Sequence, residues 1–175
     1  MEQLKEDKVV SEFDKYQERV KQFAGREEQA VVFLTLGLLG SVGALAGRAK
    51  SISRGDYENR GALIFERVAD AAIQDCRHIA MYTASLVTLY EMSFSDLMDD
   101  KTFEGFTYPF LRSDTTIPHV VLNLGESVGG LCYNALGGKE HRFKEDIEET
   151  APAILGYIQR ITMLLERPFS SVFEI

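Results

Sequence analysis

The segment at residues 34–50 constrains the fold of this chain more than any other stretch. Its sequence, LTLGLLGSVGALAGRAK, is apolar, helix-periodic and interrupted by glycine. A weaker copy, LNLGESVGGL, occupies residues 122–131, at an offset of 86 residues from the matching part of the first segment. A chain that repeats its most distinctive helix is expected to repeat a fold unit.

A second match lies in the later helices at a different offset. Residues 79–95 align with residues 154–170 at an offset of 75, which pairs Tyr82 with Tyr157 and Glu91 with Glu166. The turn between the paired helices is therefore shorter in the second unit. We predict a first repeat at 1–98, a linker at 99–117 and a second, degenerate repeat at 118–175, together forming one compact unit.

Apolar residues recur at spacings of three and four along most of the chain, which predicts helices. We predict them over residues 3–24, 27–53, about 60–91, 95–100, 118–136 and 143–166, with Pro152 kinking the last helix or marking its start. No run is typical of a strand. The fold class is therefore all-α, a helical bundle of about eight helices with approximate twofold symmetry. The linker aromatics are expected to lie over the core; they are Phe103, Phe106, Tyr108 and Phe110.

Glycines inside the second helix cost about 1 kcal/mol each relative to alanine, so they need a reason. For Gly37, Gly40 and Gly43 that reason is either tight packing against another helix or the close approach of a ligand.

Composition narrows the partners and the location. The chain has 175 residues, 45% hydrophobic and 26% charged, as expected of a soluble globular protein. Its net charge of -8 argues against nucleic-acid and anionic-membrane partners, and it is compatible with a metal-dependent site. The N-terminal sequence has no apolar signal segment, which predicts a cytoplasmic protein. Cys76 and Cys132 are expected to be reduced core residues.

Several motifs occur in a characteristic order. They are Tyr16-Gln17, LGLLGSVGAL at 36–45, Lys50 followed by Arg54-Gly55-Asp56, AMYTASL at 80–86 and MSFSDL at 92–97. Through these motifs residues 16–98 resemble the MazG-like nucleoside triphosphate pyrophosphohydrolases of the all-α NTP pyrophosphatase superfamily. The second half of the chain resembles the same family more loosely, as a degenerate copy.

The resemblance implies an activity, a cofactor and an assembly. Members of the family hydrolyse nucleotides between the α- and β-phosphates, with Mg²⁺ held by acids written GExGE on the second helix and EExxD on the third. Residues three or four apart share a helix face, so each helix presents paired carboxylates to the metal, which activates water. Family members are usually dimers. Two copies in one chain could supply that arrangement as a pseudo-dimer, and further pairing into a homo-oligomer is possible.

This chain departs from the family at the metal-binding positions, most of which carry no carboxylate. The GExGE glutamates fall at Ser41, Ala44, Ser127 and Gly130, and the EExxD acids fall at Gln74, Asp75, His78, Glu149, Thr150 and Ala153. Serine and alanine cannot hold a divalent ion with useful strength. Mg²⁺ is therefore possible as a cofactor but is not supported by intact ligands.

Four residues remain as metal-ligand candidates: Asp75, His78, Glu126 and Glu149. Asp75 and His78 share a helix face three residues apart, either as a remnant metal or nucleotide site or as an ordinary polar pair. Displaced acids could also act, namely Glu66 with Asp70, or Glu145 with Glu149, although a solvated helix face explains the first pair and an acid-rich first helical turn explains the second.

Three basic residues are candidates for nucleotide phosphate: Lys50, Arg54 and Lys139. Basic residues also suit the C-terminal turn of a helix without any ligand.

Three functions follow from the sequence. The first is a pseudoenzyme that binds a nucleotide or another small ligand, the second is an active Mg²⁺-dependent nucleoside triphosphate pyrophosphohydrolase, and the third is a protein-interaction module.

Overall fold

Helices account for nearly all of the described backbone. The computed structural model describes residues 11–23, 30–56, 62–98, 102–107, 115–137 and 140–174, and these contain no strand. The α-helices are α1 Glu12–Val20, α2 Ala30–Ser53, α3 Ala62–Leu89, α4 Phe94–Met98, α5 Ile117–Leu136 and α6 Glu140–Leu164, with short 3₁₀ helices at Lys21–Phe23 and Phe169–Phe173. The predicted all-α class is confirmed.

The four long helices form a closed ring. The helix α2 packs against α3 and α5, and α6 packs against α5 and α3. Each helix turns an apolar stripe toward the centre of this ring. In α2 and α5 the buried residues recur at matching positions, and these are Leu34, Leu38, Val42 and Leu45 in α2, and Val120, Leu124, Val128 and Leu131 in α5.

The helices α2 and α5 run antiparallel to each other. Cys132 donates its thiol hydrogen to the carbonyl oxygen of Thr35 at 3.4 Å. Further along, a Cβ added at Gly125 would lie 3.9 Å from Cγ1 of Val42. As the residue number rises along α5, that of the neighbour on α2 therefore falls.

An aromatic cluster closes one end of the bundle. The ring of Phe13 on α1 lies 4.9 Å from that of Phe103 and 6.0 Å from that of Phe106, both edge-on. Phe103 and Phe106 are buried, so the prediction that linker aromatics cover the core is confirmed for them. Tyr108 and Phe110 lie outside the described residues.

Two predicted helices have different bounds in the structure. The helix predicted over residues 3–24 is wrong at residue 11, because Ser11 has a non-helical ψ of 146° and its hydroxyl caps α1 by accepting from the N–H of Phe13. The last helix begins at Glu140, three residues before the predicted start, and it continues through Pro152. Proline removes a single backbone donor there, and the packing of the surrounding turns retains the helix.

The ends of α3 and α6 have the same backbone geometry. Glu91 and Glu166, which follow these helices, both have a left-handed φ of 55°. In each case the next residue donates its N–H to the carbonyl five residues earlier, at 3.1 Å after α3 and 2.8 Å after α6. This is the hydrogen-bond pattern of a Schellman cap, and it recurs at the 75-residue offset seen in the sequence.

Candidate functional site

An ion pair joins α2 to α3 at the position where the sequence predicts a metal ligand. The guanidinium of Arg48 donates from Nε to Oδ2 of Asp75 at 2.5 Å and from Nη2 to Oδ1 at 3.4 Å. The Asp75 side chain is only 9% exposed, and that of Arg48 is 37% exposed. A paired guanidinium satisfies both carboxylate oxygens and neutralises the charge. A metal ion at Asp75 would have to displace Arg48.

The other metal candidates lie apart from Asp75. His78 is exposed on α3, Glu126 is exposed on α5, and Glu149 is exposed on α6. The part of the chain that the structure describes brings together no group of three or more histidine, cysteine, aspartate or glutamate side chains that could hold a metal ion. Asp75 is buried and His78 is exposed, so the two predicted partners do not share one environment.

The residues at the GExGE positions do not replace the missing acids. The hydroxyl of Ser41 donates back to the carbonyl of Gly37 in its own helix, at 2.9 Å. Ala44 and Gly130 are exposed, and Ser127 is half-buried. No side chain at these positions offers a charged oxygen to a cation.

The displaced acids near the N-terminal end of α3 have a different partner. Arg167, just beyond α6, pairs with Glu66 and with Asp70, the latter at 3.1 Å. These hydrogen bonds, that to Glu66 first, raise the pKa of Arg167 above its usual range. Both acids are therefore joined to a cation at the protein surface. Glu145 and Glu149 are exposed on α6.

The two basic candidates that the structure describes, Lys50 and Arg54, do not line the groove found along α1. Lys50 is exposed in the last turn of α2. Arg54 pairs with Asp56 at 2.7 Å. Lys139 lies outside the described residues.

A groove that the sequence did not indicate runs along α1. It has a volume of about 580 Å³ and is lined by Glu12, Lys15, Glu18, Arg19 and Phe103. Its side chains carry both signs of charge, and it includes none of the predicted site residues. The sequence of α1 could not have indicated this groove. The polar face of an amphipathic helix carries charges of both signs whether or not a neighbouring segment lies beside it.

The exposed apolar surface of α2 and α5 was also missed. This surface, here called the α2/α5 face, presents side chains that are between 42 and 79% exposed; they are Val32, Phe33, Leu36, Leu39, Leu122 and Tyr133. By length and composition α2 could also cross a membrane, with 33% of its most apolar window buried in the protein. A core helix of a soluble protein passes the same test.

The glycines of α2 divide into two groups. A Cβ added at Gly37 would lie 2.4 Å from Cζ of Tyr82 on α3, which confirms tight helix packing at that position. Around Gly40 and Gly43 no atom of the described residues comes within 4 Å of an added Cβ, so packing against another helix among the described residues does not explain these two glycines. Gly47 in α2, and Gly129 and Gly130 in α5, are equally open.

The described residues therefore form an all-α bundle. Asp75, at the predicted metal position, is paired with Arg48, and the apolar α2/α5 face on the other side of α2 is exposed. No family model, curated protein or solved structure was found to match the chain. Function is therefore inferred from the fold and from the side chains at these two places.

Proposed function

We propose that this chain is a catalytically inactive MazG-like protein that binds a nucleotide or another small ligand without a metal ion. The observation that carries the proposal is the ion pair of Arg48 with Asp75. Asp75 is the one carboxylate that remains at the family's metal-binding positions in the first repeat, and Arg48 supplies the positive charge that a metal would otherwise bring.

The tandem-repeat architecture is part of the proposal, and the contacts between α2 and α5 support it. The register set by the hydrogen bond of Cys132 to Thr35 and by the closeness of Gly125 to Val42 puts Gly40-Ser41, near the middle of α2, opposite Glu126-Ser127, at the midpoint of α5. These two positions are equivalent at the 86-residue offset. A twofold axis through that midpoint would exchange the two helices, as it would exchange the subunits of a dimer. The shared caps after α3 and α6 fit the same pseudo-dimer.

Inactivity follows from the chemistry of the metal. Mg²⁺ needs an octahedral set of oxygen ligands, and protein sites provide carboxylates for it. At the family's ligand positions in the first repeat Asp75 is the only carboxylate, and its oxygens already accept from Arg48. Without the metal nothing activates water or stabilises the charge that develops on the phosphoryl oxygens.

Two measurements on the purified protein test the proposal together. Pyrophosphate release from the common nucleoside and deoxynucleoside triphosphates, with Mg²⁺ present, is expected to equal that of a blank without protein. In thermal-shift experiments at least one nucleotide is expected to raise the melting temperature by the same amount with Mg²⁺ and with a chelator. Saturation at about 100 times the dissociation constant adds about 2.7 kcal/mol to the free energy of unfolding.

The two halves of the proposal can fail separately. Pyrophosphate release that disappears in Asp75→Asn would contradict the inactivity and favour a metal site that includes Asp75. If no nucleotide changes the melting temperature, nucleotide binding is wrong while the inactive architecture stands.

The ion pair itself can be tested by a double-mutant cycle. Arg48→Ala leaves Asp75 buried without its guanidinium, and we expect the free energy of unfolding to fall by about 1–3 kcal/mol. Arg48→Ala combined with Asp75→Ala is expected to recover part of that loss, because the unpaired charge is gone. Urea unfolding measures both. Full stability of Arg48→Ala without added cations would contradict the assigned role.

A protein-interaction module is the second candidate, and the α2/α5 face favours it. A contiguous apolar surface is a common mark of a protein–protein contact. Co-purification of a stable partner, with nucleotide screens empty, would favour this function over ligand binding. A cytoplasmic location and the lack of nucleic-acid partners remain predictions from the sequence.

A further inference from the structure

We infer that α2 of one chain docks antiparallel on α2 of a second copy of the same chain, about a twofold axis that passes close to Gly40. This inference names the partner for the second candidate function and rests on it. It does not depend on whether the protein binds a nucleotide.

The open glycines are the first observation behind the inference. Each glycine inside a helix costs about 1 kcal/mol relative to alanine. Gly40, Gly43 and Gly47 face outward, and no atom of the described residues lies within 4 Å of the space that a side chain would fill. Packing among the described residues therefore does not require them. Small residues at these three positions would allow a second helix to approach closely along this stripe.

The order of large and small residues on the stripe is the second observation. The large residues, Phe33 and Leu36, lie toward the N-terminal end of α2, and the small residues, Ala44 and Gly47, lie toward the other end. An isologous contact must be complementary to itself. Antiparallel pairing about Gly40 puts Phe33 opposite Gly47 of the other copy and Leu36 opposite Ala44. Each bulky side chain then enters a gap that a small residue leaves.

The distribution of charge also favours a second copy of the chain as the partner. Residues 30–47 contain no ionisable side chain, although the whole chain has a net charge of -8. Two acidic copies can therefore meet along α2 without bringing carboxylates together. The corresponding pairing through α5 would oppose Glu126, which is exposed at the midpoint of that helix, to its own copy. We therefore place α2 rather than α5 at the axis.

The size of the contact sets the expected affinity. The uncharged stretch of α2 is 18 residues long, about 27 Å at 1.5 Å per residue. One helix from each copy gives an interface at the small end of the range for specific complexes. We expect a reversible dimer that dissociates in the micromolar range.

Sedimentation equilibrium over a range from low to several hundred micromolar tests the inference. The mass is expected to rise from 19.7 kDa toward twice that value as concentration increases. Leu36→Ser should weaken the dimer at least tenfold, because an isologous contact loses the same leucine twice. Leu63→Ser is the matched control, since Leu63 on α3 is 69% exposed and Leu36 is 61% exposed. Leu63→Ser should leave the dissociation constant unchanged.

A cross-linking experiment tests the register. A residue on a twofold axis faces itself, so Gly40→Cys should form a disulfide-linked dimer under mild oxidation, whereas Leu63→Cys should not. The native thiols are present in both variants and provide the background. Leu36 is 61% exposed, so Leu36→Ser should leave the monomer folded, and circular dichroism with an unchanged urea midpoint at low protein concentration checks this.

Four results would overturn the inference. These are a monomer at every concentration, a dimer that Leu36→Ser does not weaken, equal cross-linking of the two cysteine variants, and a monomer that binds neutral phosphatidylcholine vesicles through α2. The last result would assign the face to a membrane. None of them bears on the ion pair or on catalysis, so the proposed pseudoenzyme would be tested separately.

Discussion

The contact of Gly37 with Tyr82 permits a sharp test of how α2 and α3 pack. In Gly37→Ala the new Cβ would lie 2.4 Å from Cζ of Tyr82 and 2.6 Å from Cε1. Carbon atoms that are not bonded do not approach this closely, so the ring must move. Moving it also disturbs the edge-on contact of Tyr82 with Phe33, whose ring centre is 6.5 Å away.

The expected magnitude combines two opposing effects. Alanine is favoured over glycine in a helix by about 1 kcal/mol. Overpacking a well-filled contact costs about 1–3 kcal/mol. Gly37→Ala should therefore change the free energy of unfolding by between about 0 and -2 kcal/mol. Gly40→Ala is the matched control three residues away, and because its Cβ meets no described atom it should stabilise the monomer by about 1 kcal/mol.

The comparison of the two variants isolates the steric effect, since both gain the same helix propensity. Urea unfolding followed by circular dichroism measures it, at concentrations below those at which copies of the chain would pair. We expect Gly37→Ala to be less stable than Gly40→Ala by about 1–3 kcal/mol. In a Tyr82→Ala background this difference should disappear. Equal stabilities in the native background, or a difference that persists without the Tyr82 ring, would refute the reasoning.

Two other features allow simple tests. Glu91→Gly is expected to raise the free energy of unfolding by about 1 kcal/mol, because a left-handed φ of 55° strains a side-chain-bearing residue. Glu149→Gly, inside α6, is expected to lower it by a similar amount, and urea unfolding measures both. Burial raises the pKa of the thiols of Cys76 and Cys132, so both are mainly protonated at neutral pH. Fully buried Cys76 should react with an aromatic disulfide reagent only on unfolding, whereas half-buried Cys132 should react in the native protein, faster as pH rises.

The positions of the long helices were predictable from local pattern. Apolar spacing predicted a helix over residues 118–136, and α5 spans Ile117–Leu136. The predicted end of the second helix at residue 53 matches the end of α2 at Ser53. Such segments are long and bounded by turn residues, so periodicity alone locates them.

The predicted helix bounds were wrong where the local preference of one residue opposes the apolar repeat around it. Ser11 lies within an apolar repeat that extends on both sides, yet its hydroxyl caps α1 and its backbone leaves the helical region. Pro152 is the opposite case, a helix breaker that the surrounding packing overrides. Neither outcome can be read from periodicity, because each depends on whether tertiary contacts outweigh the local preference of one residue.

The candidate site was predictable only in part. The resemblance placed Asp75 at a metal position, and the structure places its carboxylate between α2 and α3. Its partner Arg48 was not foreseen as a counter-ion, because 27 residues separate the two and their contact depends on how the helices are rotated against each other. The basic end of α2 predicts phosphate binding and an ion pair equally well.

The two sides of α2 explain why the sequence could not show which face of this helix is covered by α3 and which face is exposed. This helix is apolar all round, so its hydrophobic pattern does not show which face meets the core. Gly37 and Arg48 lie on the side that α3 covers, and Gly40 lies on the side that it leaves open. Under the proposed repeat, α5 divides in the same way, because Asn134 corresponds to Arg48 and donates to Asp146 on α6 at 2.8 Å. Each helix pair would thus hold a polar link on its closed side and glycines on its open side, where a second helix can approach.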